Sequence, residues 1–265
     1  MNVLLQNLKV LLRPRRYRAE LAQAERMLRS VAEAENGAVE RIHGFLRSDW
    51  WEVRNCALKI IARTRCQRLY DQLHVKLVET GEAGILRRNC AELIPAVGLR
   101  DPETISALRR ALRDPYWEVR SEAARALSQL ATESDELEAE LLSALRAEKN
   151  LEARACLAQA LGALARGDGA FDLLAQLADR DCWLVRYQAA VALIEMGARR
   201  PGLAEKAAET VHGLDQLAEG AATTSVFRQH VLELAELTAK GRPYPDADAV
   251  KKRYMHLKHG WLRHG

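Results

Sequence analysis

The sequence predicts an all-α protein built as a right-handed α-solenoid of about five or six helical hairpins. Composition is the first observation behind this prediction: 48% of the 265 residues are hydrophobic but only 5% are aromatic, and alanine and leucine outnumber the β-branched residues. Such a composition favours helices over strands. The second observation is an internal repeat with a period near 33 residues, which is typical of stacked helical hairpins.

An apolar residue followed by arginine marks each repeat. Small or aliphatic residues stand three, four and seven places after each arginine, as Ala123, Ala124 and Leu127 do after Arg120. This spacing predicts a helix with one apolar face. Successive markers are 33, 33, 34 and 32 residues apart. The marker arginines are Arg54, Arg87, Arg120, Arg154 and Arg186, and a degenerate sixth unit contains Arg228.

Each marked segment is expected to form the second helix of a hairpin, because an amphipathic helix also precedes it. One hairpin of this size cannot bury its own apolar face, whereas stacked hairpins can. We expect three regions: residues 1–35 form an amphipathic and basic segment with a cap helix over 17–34, residues 36–240 form the solenoid, and residues 241–265 form a basic tail. The predicted first helices span 36–47, 68–80, 102–113, 135–147, 169–179 and 203–218.

The marked segments resemble HEAT-type repeats. The stretches DPYWEVRSEAARAL (114–127) and DCWLVRYQAAVAL (181–193) are similar, more narrowly, to the short HEAT-like repeat first named from phycobilin lyase subunits. The resemblance covers residues 36–240 and implies the solenoid fold. Repeats of this type occur in chromophore lyases, an iron-binding hydroxylase, DNA glycosylases and adaptors, so the resemblance implies no single function.

Basic residues are concentrated at the two ends of the chain. The net charge is +4, but residues 1–18 and 238–265 together carry +10, which leaves −6 on the body. Basic ends suit phosphates, anionic lipids or an acidic protein partner, and the alternative is that they only aid solubility. The predicted tail contacts are Lys9, Arg13, Arg15, Arg16, Arg18, Lys251, Lys252 and Arg253.

The first twelve residues, MNVLLQNLKVLL, place their apolar side chains on one helical face, and a basic cluster follows at 13–16. Such a helix can lie on an anionic membrane surface or pack onto the first repeat as a cap, and both interpretations stay open. The chain has no run of eighteen apolar residues, which excludes an integral membrane protein. Five cysteines without a CxxC pair or a secretory signal predict a reduced, cytoplasmic protein, with attachment to the membrane periphery as the alternative.

The marker arginines are expected to form a structural ladder. Each guanidinium would bridge to an aspartate or a loop carbonyl of an adjacent repeat, because a bidentate pair with a carboxylate requires the planar fork of arginine. A row of phosphate-binding residues is the alternative.

Tryptophans stand three residues before the marker arginine in alternate repeats, at Trp51, Trp117 and Trp183. A tryptophan at a helix start can pack over the neighbouring hairpin. The alternative is an aromatic ridge, continued by Trp50, Tyr116 and Tyr187, that binds bases, a tetrapyrrole or a peptide. The acidic body argues against DNA, because DNA binding depends on phosphate neutralisation.

The sequence contains no recognisable catalytic or metal-binding constellation. It has no P-loop, no G-x-S-x-G and no G-x-G-x-x-G, and none of its seven histidines is followed by glutamate. The tail histidines 256, 259 and 264 have no cysteine or carboxylate set beside them. We therefore expect no enzymatic activity, no cofactor and no metal.

These observations predict a scaffold or adaptor that binds a protein or peptide along its concave face, with the basic tails as a second contact. One alternative is a phycobilin-lyase-like subunit or a chaperone of a cofactor-bearing protein, and another is a nucleic-acid-binding protein. The predicted concave-face contacts are the side chains of Asn55, Lys59, Arg88, Glu92, Ser121, Arg125, Gln159, Tyr187, Gln188 and Gln229.

Overall fold

The computed structural model of the chain describes residues 14–30, 38–212, 222–240 and 252. Within these residues it contains thirteen α-helices, a short 3₁₀ segment and no strand, which confirms the predicted all-α solenoid class. The helices are α1 (Arg15–Arg29), α2 (Ala38–Leu46), α3 (Trp51–Thr64), α4 (Asp71–Val78), α5 (Gly84–Val97), α6 (Pro102–Ala111), α7 (Trp117–Leu130), α8 (Asp135–Ala147), α9 (Leu151–Leu164), α10 (Asp168–Arg180), α11 (Trp183–Arg199), α12 (Pro201–His212) and α13 (Ala222–Ala239).

The first helix begins earlier and ends earlier than the predicted cap helix over 17–34. Pro14 immediately precedes α1, so Arg15 and Arg16 of the basic cluster belong to the helix. Proline is tolerated there because the first N–H groups of a helix have no intrahelical partner. At the other end, Ser30 closes the helix by donating its backbone N–H to the carbonyl of Arg26 at 3.0 Å.

The chain forms two compact units, Met1–Ala111 and Leu112–Gly265. In the first unit, α1 packs against α3 and α3 packs against α5, so α1 occupies the place of a second helix ahead of the first hairpin. The first helices α2 and α4 pack on their partners α3 and α5, and α4 also contacts α6.

The second unit repeats this arrangement. Its second helices α7, α9, α11 and α13 lie side by side in chain order, and the first helices α8, α10 and α12 each pack on the second helix that follows them.

Asn150 caps α9 by accepting from the N–H groups of Glu152 and Ala153 at 3.0 and 3.1 Å. Ser134 caps α8 in the same way through the N–H of Leu137. Such side chains satisfy donors that the helix start leaves without a partner.

The core lies where the marker pattern places it. The residues three, four and seven places after the five markers from Arg54 to Arg186 all have no exposed surface. Small side chains among them let neighbouring second helices approach closely, which is how stacked hairpins exclude water. These core residues are Ala57, Leu58, Ile61, Cys90, Ala91, Ile94, Ala123, Ala124, Leu127, Leu157, Ala158, Leu161, Ala189, Ala190 and Leu193.

Gly162 marks the closest approach between α9 and α11. A Cβ atom at this position would lie 2.6 Å from the Cα of Ala192, so the backbone of α11 would have to move. We expect Gly162→Ala to lower the free energy of unfolding by about 1–3 kcal/mol in urea denaturation, because overpacked cores cost roughly that amount.

Gly169 in α10 is the matched control for Gly162, because a Cβ atom there would meet nothing within 4 Å. Gly169→Ala is expected to leave the unfolding free energy unchanged or to raise it by up to about 1 kcal/mol. Equal effects of the two substitutions would contradict the close packing of α9 against α11.

Candidate functional site

The marker arginine of the first hairpin ties that hairpin to the next one. The Nε and Nη2 atoms of Arg54 donate to the two carboxylate oxygens of Glu82 at 2.7 and 2.5 Å, and its Nη1 atom donates to the carbonyl of Ser48 at 2.6 Å. Only 1% of the Glu82 side chain is exposed. We call this arrangement of a marker arginine with a buried glutamate of the following hairpin a clamp.

The second unit contains the same clamp. The Nε and Nη2 atoms of Arg120 donate to Glu148 at 2.6 and 2.7 Å, and its Nη1 atom donates to the carbonyl of Asp114 at 2.8 Å. The Glu148 side chain is 2% exposed. Both glutamates lie 28 residues after their arginine. Sequence reasoning missed Glu82 and Glu148, because only two of the five marker arginines have a glutamate at this spacing.

The clamp carboxylates are held in their charged form. Burial raises the pKa of Glu82, but the hydrogen bonds from Arg54 and from the backbone N–H of Ala83 outweigh it, so the pKa lies below its ordinary value. Burial opposes the hydrogen bond from Arg120 in the same way at Glu148, whose pKa is also lowered. These groups are committed to structural contacts and have no acid–base capacity near neutral pH.

The remaining marker arginines use other partners. Arg154 forms an ion pair of 2.7 Å with Asp181, and the Nε atom of Arg186 donates to the carbonyl of Ala178 at 3.1 Å. Arg87 donates to the backbone carbonyl of Glu82. These contacts support a structural role for the arginines and not a phosphate-binding row.

A second set of contacts joins neighbouring second helices. Asn89 donates its Nδ2 to the Oδ1 of Asn55 at 2.9 Å, and the hydroxyl of Ser121 donates to the Sγ of Cys156 at 3.1 Å. The hydroxyl of Tyr187 lies 2.7 Å from the Nδ1 of His230. In each pair, the residue directly after one marker arginine contacts the residue two places after the next marker arginine.

These contacts correct part of the predicted concave face. Ser121 and Tyr187 are each only 5% exposed, so the prediction that they offer exposed side chains to a partner is wrong. The reason is that both side chains are used to pair helices. Asn55 is half-buried by its contact with Asn89.

The other predicted contacts keep accessible surface. Arg88 pairs with Glu92 at 2.8 Å, and Arg125 pairs with Glu122 at 2.8 Å. The side chain of Gln229 lies outside the described residues. Within the described part, Lys59, Glu92 and Arg125 are exposed, and Arg88, Gln159 and Gln188 are half-buried. We refer to these six residues as the second-helix face.

The proposed aromatic ridge is uneven. Trp51 and Trp117 begin α3 and α7 and are half-buried, whereas the side chain of Trp183 lies outside the described residues. Trp50 packs edge-to-face against Tyr17 of α1, with ring centroids 5.0 Å apart. Trp50 therefore takes part in the packing of α1 on the first hairpin.

Some of the predicted tail contacts are in the described residues. Arg15, Arg16 and Arg18 are exposed on α1, and Lys252 is exposed. Arg16 forms an ion pair of 2.8 Å with Glu20 one turn later. Lys9, Arg13, Lys251 and Arg253 lie outside the described residues, as does the amphipathic segment over residues 1–12.

The described residues provide little support for a metal site or for a cysteine nucleophile. No group of three histidine, cysteine or carboxylate side chains able to hold a metal ion occurs among them. Burial raises the pKa of the Cys90 thiol far above its ordinary value, and it also raises that of Cys56. Over the same residues, no helix has an apolar stretch long enough to cross a membrane.

Glu195 on α11 has a strongly raised pKa. Burial raises the pKa of Glu195 to about 7, although Arg199 one turn later acts in the opposite direction. Arg199 itself is engaged with Glu133 and with the carbonyl of Gly162. The arrangement places a carboxyl that titrates near neutrality beside the junction of α9 and α11.

Comparisons with known proteins agree with this architecture. Residues 73–142 match the family model of HEAT repeats, which confirms the predicted repeat type over that segment. A search of curated proteins gives no match.

Three solved structures resemble the chain at low identity. One engineered protein is 20% identical with a TM-score of 0.48, over 78% of this chain and 98% of its own. Another engineered protein is 18% identical with a TM-score of 0.39, over 89% and 99%. The complex of CpcE and CpcF of phycocyanin lyase from Nostoc sp. PCC7120 is 16% identical with a TM-score of 0.38, over 76% and 96%. Similarity this low gives no information about function.

The raised pKa of Glu195 makes stability depend on pH. Its folded-state pKa exceeds the ordinary value, so the folded state binds the proton more tightly and loses stability as the pH rises from about 4.5 through 7. We expect Glu195→Gln to raise the free energy of unfolding by roughly 1–3 kcal/mol at about pH 8 and to change little at about pH 4.

Urea denaturation at both pH values measures this effect, with Glu205→Gln on the exposed side of α12 as the control. An equal gain from Glu195→Gln at the two pH values would be inconsistent with a half-buried carboxyl that becomes charged.

Proposed function

We propose that this chain of HEAT repeats is a non-enzymatic scaffold or adaptor that binds a protein or peptide along its second helices. The observation that supports the proposal most is the second-helix face. In each unit the second helices lie side by side, and their mutual contacts leave a defined subset of polar side chains accessible. Within each unit, such a surface offers contacts from consecutive repeats.

The chemistry of the second-helix face suits a protein partner. The second-helix face comprises Lys59, Arg88 and Glu92 in the first unit. In the second unit it comprises Arg125, Gln159 and Gln188. A surface of mixed charge and amide groups can form directed hydrogen bonds with a polypeptide. It does not provide the uniform positive charge that nucleic acids require.

The proposal includes the cytoplasm as the site of action and the basic ends as a second contact. All five cysteines are free, which fits a reducing compartment. Arg15, Arg16 and Arg18 are exposed on α1 and accessible to an acidic partner or an anionic membrane surface.

The two alternatives from the sequence stay predictions with tests of their own. A change in bilin absorbance on mixing with the purified protein would favour a lyase-like subunit. An affinity for nucleic acid that falls steeply with salt would favour nucleic-acid binding through the tails.

Charge substitutions on the second-helix face test the proposal. Lys59→Glu, Gln159→Glu and Gln188→Glu combined lower the net charge by four units while leaving the helix-pairing contacts in place. We expect them to weaken partner binding at least tenfold, which corresponds to about 1.4 kcal/mol. The measurement is quantitative affinity capture from lysate of the native host, followed by mass spectrometry.

The matched control adds the same charge on the first helices through Arg110→Glu, Ser143→Glu and Gln176→Glu, at exposed positions of α6, α8 and α10. The control variant should retain the proteins captured by the wild type. Loss of the same proteins from both variants, or from neither, would count against binding along the second helices.

A further inference from the structure

Three glutamine side chains of the second unit lie on consecutive second helices. Gln129 is on α7, Gln159 is on α9 and Gln188 is on α11, at nine, five and two places after their marker arginines. Because α7 packs against α9 and α9 packs against α11, the three positions follow one another diagonally across the helices. We call this set the glutamine row.

The glutamine row lies on the side of these helices that faces away from the core. The core positions are three, four and seven places after each marker. At about 100° of rotation per residue, the second, fifth and ninth places point to the opposite side of the helix. Gln129 is exposed, and Gln159 and Gln188 are half-buried. One ligand can therefore approach all three amides from the same side.

The amides of the glutamine row are available to a ligand. None of the three forms a hydrogen bond with another residue that the structure describes, and their amide atoms remain open to solvent. The first unit differs at the corresponding places. There the amide of Asn89 is already paired with Asn55 at 2.9 Å. Three of the other places hold the charged residues Lys59, Arg63 and Glu92.

The surroundings of the glutamine row carry little uncompensated charge. At the second, fifth and ninth places of α7, α9 and α11, the charged residues are Glu122, Arg125 and Glu195. Arg125 donates to both carboxylate oxygens of Glu122, at 2.8 and 3.0 Å. Burial raises the pKa of Glu195 to about 7, so this carboxyl is partly protonated near neutral pH. Charge complementarity therefore favours a neutral ligand, because a charged one would lose hydration without gaining an ion partner.

The spacing of the glutamine row fits an extended chain. Neighbouring second helices run nearly in register, since Ser121 contacts Cys156, one and two places after their markers. Gly162 likewise faces Ala192, eight and six places after theirs. With a rise of about 1.5 Å per residue and helix axes about 8–10 Å apart, successive glutamines are about 10–12 Å apart. An extended polypeptide covers that distance in about three residues.

We propose that the glutamine row binds an extended, uncharged segment of a protein partner through the backbone of that segment. The proposal rests on the proposed function and specifies the kind of segment that the second unit recognises. A primary amide both donates and accepts, so each glutamine can pair with a C=O and an N–H group of the segment. Because these hydrogen bonds go to the main chain, binding depends on an extended conformation more than on the identity of the side chains.

The test titrates the isotope-labelled, full-length protein with an end-capped peptide of alternating threonine and serine and follows the side-chain NH2 signals by NMR. The peptide is about twelve residues long, which is enough to span the row. It should shift the signals of Gln129, Gln159 and Gln188. The signal of Gln176, which is exposed on the first helix α10, should stay unchanged.

A peptide of the same sequence with N-methylated peptide groups is the matched control ligand. It keeps the side chains and the neutral charge but loses the backbone donors. Its Kd should be roughly tenfold higher or more, because the accepting oxygens of the glutamine row lose their partners.

Substitutions in the protein test the same contacts from the other side. Gln159→Ala and Gln188→Ala combined should raise Kd for the unmodified peptide roughly tenfold, since two pairing amides are lost. Ser143→Ala and Gln176→Ala combined, at exposed positions of α8 and α10, should leave Kd near the wild-type value. Alanine is a good helix former, so both variants are expected to fold, and circular dichroism verifies this.

Three results would overturn the inference: no binding of the peptide to the wild type, equal affinity for the N-methylated peptide, or equal Kd values for the two pairs of alanine substitutions. Poly-lysine and poly-glutamate peptides are titrated in parallel. Tighter binding of either one, lost with Gln159→Ala and Gln188→Ala, would reassign the row to a charged segment and also overturn the inference.

The capture experiment separates this inference from the proposed function. If the variant with Lys59→Glu, Gln159→Glu and Gln188→Glu loses its captured partners while the alanine variant binds the peptide like the wild type, the proposed function stands and the inference fails. If the alanine variant loses the peptide while the charge variant keeps every captured protein, backbone recognition stands and the scaffold role fails.

Discussion

The clamp between a marker arginine and a buried glutamate is the interaction on which the stacking depends. Glu82 and Glu148 are almost fully buried, and a buried carboxylate is costly unless a cation and hydrogen bonds satisfy it. Arg54 and Arg120 satisfy both oxygens and also bind a loop carbonyl, so each clamp fixes the distance between two consecutive hairpins. The clamps recur 66 residues apart, once in each unit, and the tryptophans Trp51 and Trp117 follow the same double period.

The surface available for binding follows from this packing. Ser121 and Tyr187, directly after their marker arginines, are used to join second helices and are therefore not available to a partner. The polar side chains that stay accessible on the second helices form the proposed binding face.

The repeat pattern predicted the core well because burial there depends on positions within a single helix. Ala123, Ala124 and Leu127 are buried as their spacing requires, and α8 has the predicted bounds. The clamp glutamates and the buried Tyr187 were missed because their partners lie 28 and 43 residues away, on another hairpin. Local periodicity contains no information about such contacts.

A double-mutant cycle on the Arg120–Glu148 clamp tests the central claim most directly. The free energy of unfolding is measured for the wild type, Arg120→Ala, Glu148→Ala and the double variant. A clamp that holds consecutive hairpins together predicts a coupling energy of at least about 1.5 kcal/mol, since each single substitution leaves the partner charge buried and unpaired. Additive effects within about 0.5 kcal/mol would contradict the account, because the two residues would then contribute independently.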